Sequence, residues 1–469
     1  MNIPNVIGEG AYGCIHKPSL VCKGTPISSY KNKVSKILKK EDADQELNEY
    51  EHIREVDKSQ EYYLGYPEEC NVANIPTNIR AIEKCTNGKE LLDKLDELSL
   101  LVMNDGGINL QEYANKMEDA PATLTNKTKM ERFFIEFHRI ICAINMYLDH
   151  DIIHCDMKPQ NIVFSESTGK MNIIDFGLTT TQKDLLTQSQ KSTNQLARYH
   201  WSYPFEMFFL NKNVYMYFAK LSKEQRERYY QSILYSISGH RLRDTPGGTS
   251  LTVHKEKTTP PEYVEAIQGF YSYIFDHTTD SEEFKQHMSG FYQTIVIEMT
   301  IPKYNAFVNN TINTIDVYGT GISLLYVLKK TKHLLTRKLY EDLNELGNSI
   351  ISAQLSKRIA ADELLDRYES ILTDNDIMRK YAKYFKDHKV VHGEPIPKYM
   401  NRSLNSIHMG DILLNQQDLD KIAVSLSLDD KPSTAKPKKS PKVGRKRTKK
   451  QPIQKGGRKN PRCTYKRRH

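Results

Sequence analysis

A chain of 469 residues is too long for one small domain and long enough to bury a large core. Its 38% hydrophobic and 27% charged content, with no apolar run near the roughly 18 residues of a bilayer span, reads as soluble and globular and excludes a membrane-spanning helix. The net charge of +9 hides two opposite parts: residues 431–469 hold 17 Lys/Arg and no Asp/Glu, leaving 50 Lys/Arg against 58 Asp/Glu elsewhere. Any polyanion, nucleic acid included, is therefore expected on the tail. The N-terminus, MNIPNVIGEG, lacks the basic-then-apolar layout of a secretory signal. The seven cysteines are scattered and odd in number. They predict an intracellular, reducing compartment rather than a disulfide framework, and no Cys/His cluster suggests zinc.

Residues 1–103 alternate short apolar runs with turn residues and contain one helical pattern near 41–57, which predicts a small sheet-rich lobe. Within it, Gly8-Glu9-Gly10-Ala11-Tyr12-Gly13 forms a Gly-x-Gly-x-x-Gly, preceded by Ile7 and followed by Cys14 and Ile15. Glycine lets a backbone approach a phosphate and turn N–H groups toward it. The motif opens no helix, so it reads as a hairpin turn over a nucleotide and not as a dinucleotide-binding fingerprint. Lys36 follows on a short strand among Val34, Ile37 and Leu38, where a lysine can meet phosphate as a point charge. Lys31, Lys33, Lys39 and Lys40 keep open the plainer reading of a solvated lysine.

From about residue 109 onward the pattern is mostly helical. Phe133, Phe137, Ile140, Ile141, Ile144 and Leu148 recur at three and four residues, one face of a helix. Next comes HCDMKPQN, which sets Asp156, Lys158 and Asn161 within six residues. A carboxylate can accept a hydroxyl proton, a lysine can neutralise phosphate, and an amide oxygen can bind Mg²⁺. The runs NIVF and MNIID, separated by the turn residues 167–169, read as a hairpin that delivers Asp175 and Gly177 of IIDFG. Residues 207–312 read as helical and aromatic-rich, and the apolar stretch 315–328 as a buried helix. Helical patterns continue to about 372, residues 373–430 are ambiguous, and the Lys, Pro, Ser and Gly content beyond 431 predicts disorder.

Gly8/Gly10/Gly13, Lys36, HCDMKPQN and DFG stand in the order, and roughly at the spacing, of the eukaryotic-type protein kinases, which the chain resembles over about residues 5–206 and 314–372. SYPFE resembles the family's Ala-Pro-Glu segment with Glu206 at the Glu position, Asp316 resembles the buried support of the catalytic loop, and Arg358 resembles the partner of Glu206. The resemblance implies an α+β, bilobal fold: a sheet-rich lobe over 1–103, a helical lobe over 104–372 with an insertion of about 100 residues near 207–312, an extension over 373–430 and a disordered basic tail over 431–469.

It also implies ATP and Mg²⁺ as cofactors and protein Ser/Thr hydroxyls as acceptors, the lysine of DMKPQN being what Ser/Thr members carry. Asp156 would be the base, Lys158 would steady the γ-phosphate, Lys36 would contact the α- and β-phosphates, and Asn161 and Asp175 would hold the metal. Ile7 to Ile15 would cover the nucleotide, with Val163 under the adenine, Met103 guarding its pocket and the backbone of Asn104, Asp105 and Gly106 binding it. Glu46 would pair with Lys36, with Glu49 or a merely solvated helix as alternatives, because ten residues is a short separation for the family.

Cys155 stands where most members carry Arg, so activity is expected to depend less on phosphate in the segment holding Thr179, Thr180, Thr181, Thr187, Ser189, Ser192 and Thr193. GAYGCIHKPSLVC further resembles the glycine loop of kinases of large DNA viruses, which would place the protein in host cytoplasm, nucleus or virion. Two other classes stay open: a catalytically inactive kinase-shaped scaffold, and a nucleic-acid-associated protein acting mainly through its tail.

Overall fold

The computed structural model describes residues 3–381 apart from 11–12, 25–26, 28, 192–199, 238–251, 255–256, 259–260 and 276–280. Ala11 and Tyr12 of the glycine loop, Ser192, Thr193, most of the 373–430 extension and all of the 431–469 tail lie outside the described residues.

The small lobe is built on strands β1 (Asn5–Gly10), β2 (Gly13–Lys17), β3 (Lys33–Lys39), β4 (Glu68–Asn71) and β5 (Leu98–Asn104). They form an antiparallel sheet in the order β1-β2-β3-β5-β4. Side chains alternate across a strand, and directly opposed residues share a face. The pairs Cys14↔Ile37 and Ile15↔Lys36 thus assign Cys14 and Ile37 to one face and Ile15 and Lys36 to the other. The Ile37 face carries the larger core, in which Leu20, Val72, Leu98, Leu100 and Val102 pack with Ala81 and Ile82 of helix α2 (Pro76–Ile82). The Lys36 face carries Leu38 and Leu101, packed with Ala43 of helix α1 (Lys40–Val56).

The cysteine expectation is corrected here. Cys14 bonds to Cys85 and Cys22 to Cys70, while Cys142 and Cys155 are thiols. The partners are 71 and 48 residues apart in sequence, so spacing carried no signal. The sheet register and the return of the chain past α2 bring them within 6.2 and 5.7 Å, Cα to Cα. The nearby helix α3 (Gly88–Asp93) completes that side of the lobe.

The helical lobe begins with α4 (Leu110–Glu118) and α5 (Leu124–Asp149), on which Phe133, Phe137, Ile140, Ile141 and Ile144 are buried as the periodicity predicts. A short strand β6 (Ile108–Asn109) pairs with the hairpin β8 (Ile162–Ser165) and β9 (Lys170–Ile173), and β7 (Ile152–Ile153) pairs with β10 (Thr180–Thr181). After α6 (Gln182–Gln190), the expected insertion is helical: α7 (Lys212–Ala219), α8 (Lys223–Ile237), α9 (Pro261–Ile274), α10 (Glu282–Tyr292) and α11 (Tyr304–Asn313). Helix α12 (Ile315–Thr331) is buried nearly all round, followed by α13 (Arg337–Ile350) and α14 (Ala361–Asp374). Among the described residues, no helix is long and apolar enough to cross a membrane.

Buried tyrosines need a partner for the hydroxyl, and the inserted segment meets that need by tying its helices to distant carbonyls. Tyr263 donates to Phe205 at 2.8 Å, Tyr230 to Met288 at 2.9 Å and Tyr215 to Thr300 at 2.9 Å. Phe205 packs edge-on against Phe270, Phe291 and His287, so the insertion shares the core of the helical lobe.

Within that core, His287 Nε2 meets the Ile351 carbonyl at 2.9 Å and must donate, so Nδ1 accepts from Tyr271 at 2.9 Å and the ring is neutral. Burial pushes its pKa down to about 4. The unfolded chain therefore takes up a proton below about pH 6.5 that the folded chain refuses until about pH 4, and stability falls as pH falls through that window. We expect the unfolding free energy in urea to drop by about 2 kcal/mol from this group between pH 7 and pH 5, and a His287→Phe variant to lose that part of the pH dependence.

Candidate active site

The last residue of β3, Lys39, is followed at once by the first residue of α1, with no connecting loop. That direct run closes the short separation between Lys36 and the helix. Ala43, Glu46, Tyr50 and Ile53 form the buried face of α1, and Lys36 Nζ lies 2.6 Å from Glu46 Oε2. Glu46 and not Glu49 makes the contact. Lys36 Nζ also lies 3.5 Å from Asp175 Oδ1. Burial pulls the Lys36 ammonium down, but Asp175 and Glu46 outweigh it and hold its pKa above that of an ordinary lysine. For Asp175, burial pushes the carboxyl up, and Lys36, His154 and Lys158 outweigh it to keep the group below its ordinary range. Its side chain is still 47% exposed, so it faces the cleft as an ionised carboxylate.

The loop after β7 carries the second half of the site. Asp316, in the first turn of α12, accepts the backbone N–H of His154 at 2.6 Å and of Cys155 at 2.9 Å. Cys155 has φ +61°, a left-handed conformation that a non-glycine residue holds only when its surroundings over-determine it. The two bonds to Asp316 and the Tyr203 hydroxyl on the Cys155 carbonyl, at 2.5 Å, do so. His154 Nδ1 accepts the Asp156 N–H at 3.2 Å, so Nε2 carries the proton donated to the Ile174 carbonyl at 3.1 Å. One imidazole thus joins the Asp156 loop to the residue before Asp175, itself at φ +63°.

Lys158 Nζ spans both Asp156 oxygens at 3.0 and 2.8 Å. Asn161 Nδ2 donates to the Asp156 carbonyl and to Oδ2, each at 2.8 Å, which leaves the amide oxygen as the atom able to face a cation. Phe176 is fully buried against Tyr50 of α1 at 5.1 Å and His154 at 5.1 Å, with Tyr63 at 6.2 Å. This aromatic contact ties the position of α1, and so of Glu46, to the Asp175 segment.

At the junction of the lobes, Met103 accepts a weak hydrogen bond from Tyr50 at 3.7 Å and Asn104 donates to the Leu64 carbonyl at 2.7 Å. Asp105 pairs with Lys17 at 2.6 Å. A Cβ on Gly106 would lie 2.5 Å from Val163 Cγ2 and 2.8 Å from Leu64, so only glycine lets this segment lie on Val163. In the glycine loop Gly10 pairs with Gly13, and Gly8 with Ile15. Ile7 is 47% exposed. Two side chains of the expected nucleotide-facing stretch point the other way. Glu9 and Cys14 oppose each other on the face away from Lys36. There Glu9 accepts the N–H of Thr86 at 2.8 Å and the Thr86 hydroxyl, and Cys14 bonds to Cys85, so neither side chain faces the cleft.

Below the site, Arg358 meets Glu206 through two parallel bonds of 2.5 and 3.0 Å, with both side chains fully buried. The Ser352 carbonyl, Thr314 Oγ1 and the Tyr318 ring satisfy the rest of the guanidinium. Sequence reasoning missed His154, Tyr50 and Tyr203 as parts of the site. It also missed His200, whose imidazole is held below its ordinary pKa by burial and then by Lys158, against the pull of Asp156. His154 was legible, since it begins the motif; the others are reached only through tertiary contacts.

Helix α12 approaches the Asp156 loop so closely that a Cβ on Gly319 would lie 2.1 Å from the Met157 carbonyl. A backbone oxygen cannot step aside as a side-chain end can. Gly319→Ala should lower the unfolding free energy by about 1–3 kcal/mol in urea titration. Gly10→Ala, where nothing lies within 4 Å, should change it by no more than about 0.5 kcal/mol.

Comparison with known proteins agrees with this geometry. Residues 1–197 match the family model described as protein kinase domain. Among curated proteins, myosin light chain kinase 3 of Homo sapiens is 27% identical over 175 residues, 37% of this chain and 17% of that protein. The Danio rerio protein of the same name is 28% identical over 180 residues, 38% of this chain and 20% of its own length. The chain therefore spans about one fifth of these relatives. The small antiparallel sheet, the helical remainder and the paired Lys36 and Glu46 accord with that match to the protein kinase domain over residues 1–197.

Proposed function

We propose that the protein is an ATP- and Mg²⁺-dependent kinase that transfers the γ-phosphate to protein serine or threonine hydroxyls. One observation carries the reading: the Lys36–Glu46–Asp175 cluster and the Asp156–Lys158–Asn161 cluster are joined by His154 into a single cleft. The donor set fits the metal, because an ionised carboxylate and an amide oxygen are hard ligands of the kind Mg²⁺ takes. Asp175 and Asn161 would hold it, and when bound it would neutralise phosphate charge.

The rest is the work of this chain. Lys36, kept charged and kept in place by Glu46, presents a fixed cation to phosphate oxygens. Asp156 accepts the hydroxyl proton of the acceptor through a carboxylate that Lys158 and Asn161 hold in one orientation. Lys158, already beside that carboxylate, is placed to offset charge on the transferring group. The serine/threonine assignment rests on the lysine of DMKPQN and on the similarity to the myosin light chain kinases. The inactive-scaffold reading drew on the ten residues between Lys36 and Glu46, and the direct run of β3 into α1 accommodates that separation.

Asp156→Asn is expected to lower phosphate transfer to a generic peptide by about 10²- to 10⁴-fold while ATP binding, followed by thermal shift, persists. Asp175→Asn should weaken binding of ATP with Mg²⁺ more than binding of ATP alone. Near wild-type turnover in purified Asp156→Asn would refute the assignment.

A second role is proposed for residues 431–469, on the strength of 17 positive charges without an acidic residue. Such a tail binds polyanions by releasing counterions, so binding is steep in salt and indifferent to sequence. Six phosphate contacts on duplex DNA would give a log–log salt slope of about −5. The full chain should bind DNA or RNA at low salt and a 1–430 truncation should not, with equal peptide phosphorylation by both. Equal nucleic-acid binding by the truncation would place the polyanion site in the folded body.

A further inference from the structure

The face of the small-lobe sheet turned away from Lys36 holds a group of side chains that the phosphotransfer reading does not use. Cys14 and His16 stand two apart on β2 and so share a face, and Cys85 reaches them from the connection between α2 and α3. His16 Nε2 lies 3.6 Å from Cys85 Sγ and 3.9 Å from Cys14 Sγ. All three ligand atoms lie within 4.8 Å of one another, and all three residues are buried. We propose that, when the Cys14–Cys85 disulfide is reduced, Cys14, His16 and Cys85 bind a Zn²⁺ ion, so that one site alternates between a disulfide and a metal clamp.

The geometry suits a tetrahedral ion. Zn–S bonds of about 2.3 Å and Zn–N bonds of about 2.0 Å put neighbouring ligand atoms about 3.5–3.8 Å apart, and the two nitrogen-to-sulfur distances already lie in that region. Only the sulfurs have to part. Glu9 Oε1, which accepts the Thr86 N–H, lies 3.7 Å from Cys14 Sγ and is the nearest carboxylate oxygen described beside the cluster for the fourth position. Two thiolates and an imidazole select Zn²⁺ over Mg²⁺, so the ion proposed for the cleft does not compete here.

The chemistry balances with a dithiol as reductant. The dithiol supplies two electrons and two protons to the Cys14–Cys85 bond and becomes a cyclic disulfide, leaving two thiols. Binding of Zn²⁺ then releases the two thiol protons to solvent as sulfur–metal bonds form. Either state joins the glycine-loop strand to the α2–α3 connection. The oxidised state does so by a covalent bond, and the reduced state by coordination that depends on available metal.

The test uses the full chain, reduced with a dithiol, freed of it without air and titrated with Co²⁺ as a spectroscopic stand-in. One equivalent should develop thiolate-to-cobalt charge-transfer absorption and the visible bands of a four-coordinate ion. Zn²⁺ should abolish the signal and excess Mg²⁺ should not. The oxidised protein should show no signal. Cys85→Ser and His16→Ala should each weaken Co²⁺ binding at least tenfold, while Cys70→Ser, which removes the other disulfide, should leave it intact. Circular dichroism follows folding throughout. The proposal is overturned if the reduced chain unfolds, if it folds and takes up no Co²⁺, or if Cys85→Ser binds as tightly as the wild type.

Discussion

The carboxylate of Asp316 is the constraint on which the rest of the site depends. It emerges from a helix buried on every side and takes two consecutive backbone N–H groups of the His154–Cys155 turn. Those N–H groups point the same way only because Cys155 is bent into the left-handed region. The bend in turn directs Asp156 toward Lys158 and Asn161, and lets His154 reach the Ile174 carbonyl. Burial holds the Asp316 carboxyl above its ordinary pKa, against His154 and the two N–H donors. A charge so desolvated is stable only where its hydrogen bonds are complete, so α12 and the loop have little freedom to move apart. Gly319 makes the same point sterically, since its missing side chain is the space the loop occupies.

A second buried charge pair sets the floor of the lobe. Arg358 and Glu206 are paired through two bonds, and the guanidinium finds further partners in Ser352, Thr314 and the face of Tyr318. Removing either member of such a pair strands the other without solvent, which typically destabilises by about 3–5 kcal/mol. Tyr318 and Thr314 flank Asp316 in sequence, so the pair and the loop support lean on the same turn of chain. The inserted helices are packed into this region through Phe270, Phe291 and His287 around Phe205, one residue before Glu206. They are thus part of the lobe's core and not an appendage to it.

The small lobe is organised by sheet alternation. One face of β2 and β3 presents Ile15 and Lys36 toward α1 and the cleft, and the other presents Cys14 and Ile37 toward α2. The proposed phosphate-directed chemistry and the disulfide-bonded cysteines would therefore occupy opposite sides of the same strands, about one side chain apart in sequence. Phe176, between Tyr50 and His154, is the contact by which the α1 side is fastened to the helical lobe.

Much of this was legible in the residues alone, and the reason is locality. The α5 face, the β8–β9 hairpin and the mostly apolar α12 are short-period patterns, and the spacing within HCDMKPQN and before DFG is contiguous chain. Glu46 was named as a partner of Lys36 with Glu49 beside it as an alternative, and the burial of Glu46 on the α1 face of Tyr50 and Ile53 decided between them. Tertiary structure decided what periodicity cannot reach. It turned Glu9 and Cys14 away from the cleft, because strand alternation opposes neighbours whatever motif they share. It paired cysteines 71 and 48 residues apart, against the expectation of unpaired thiols, because a disulfide is fixed by the approach of two Cα atoms and not by their separation along the chain. It brought His16 to the same sulfurs and Tyr203 to the Cys155 carbonyl by the same means. Contacts within a turn of helix or strand follow from the order of residues; contacts between elements exist only once the elements have packed.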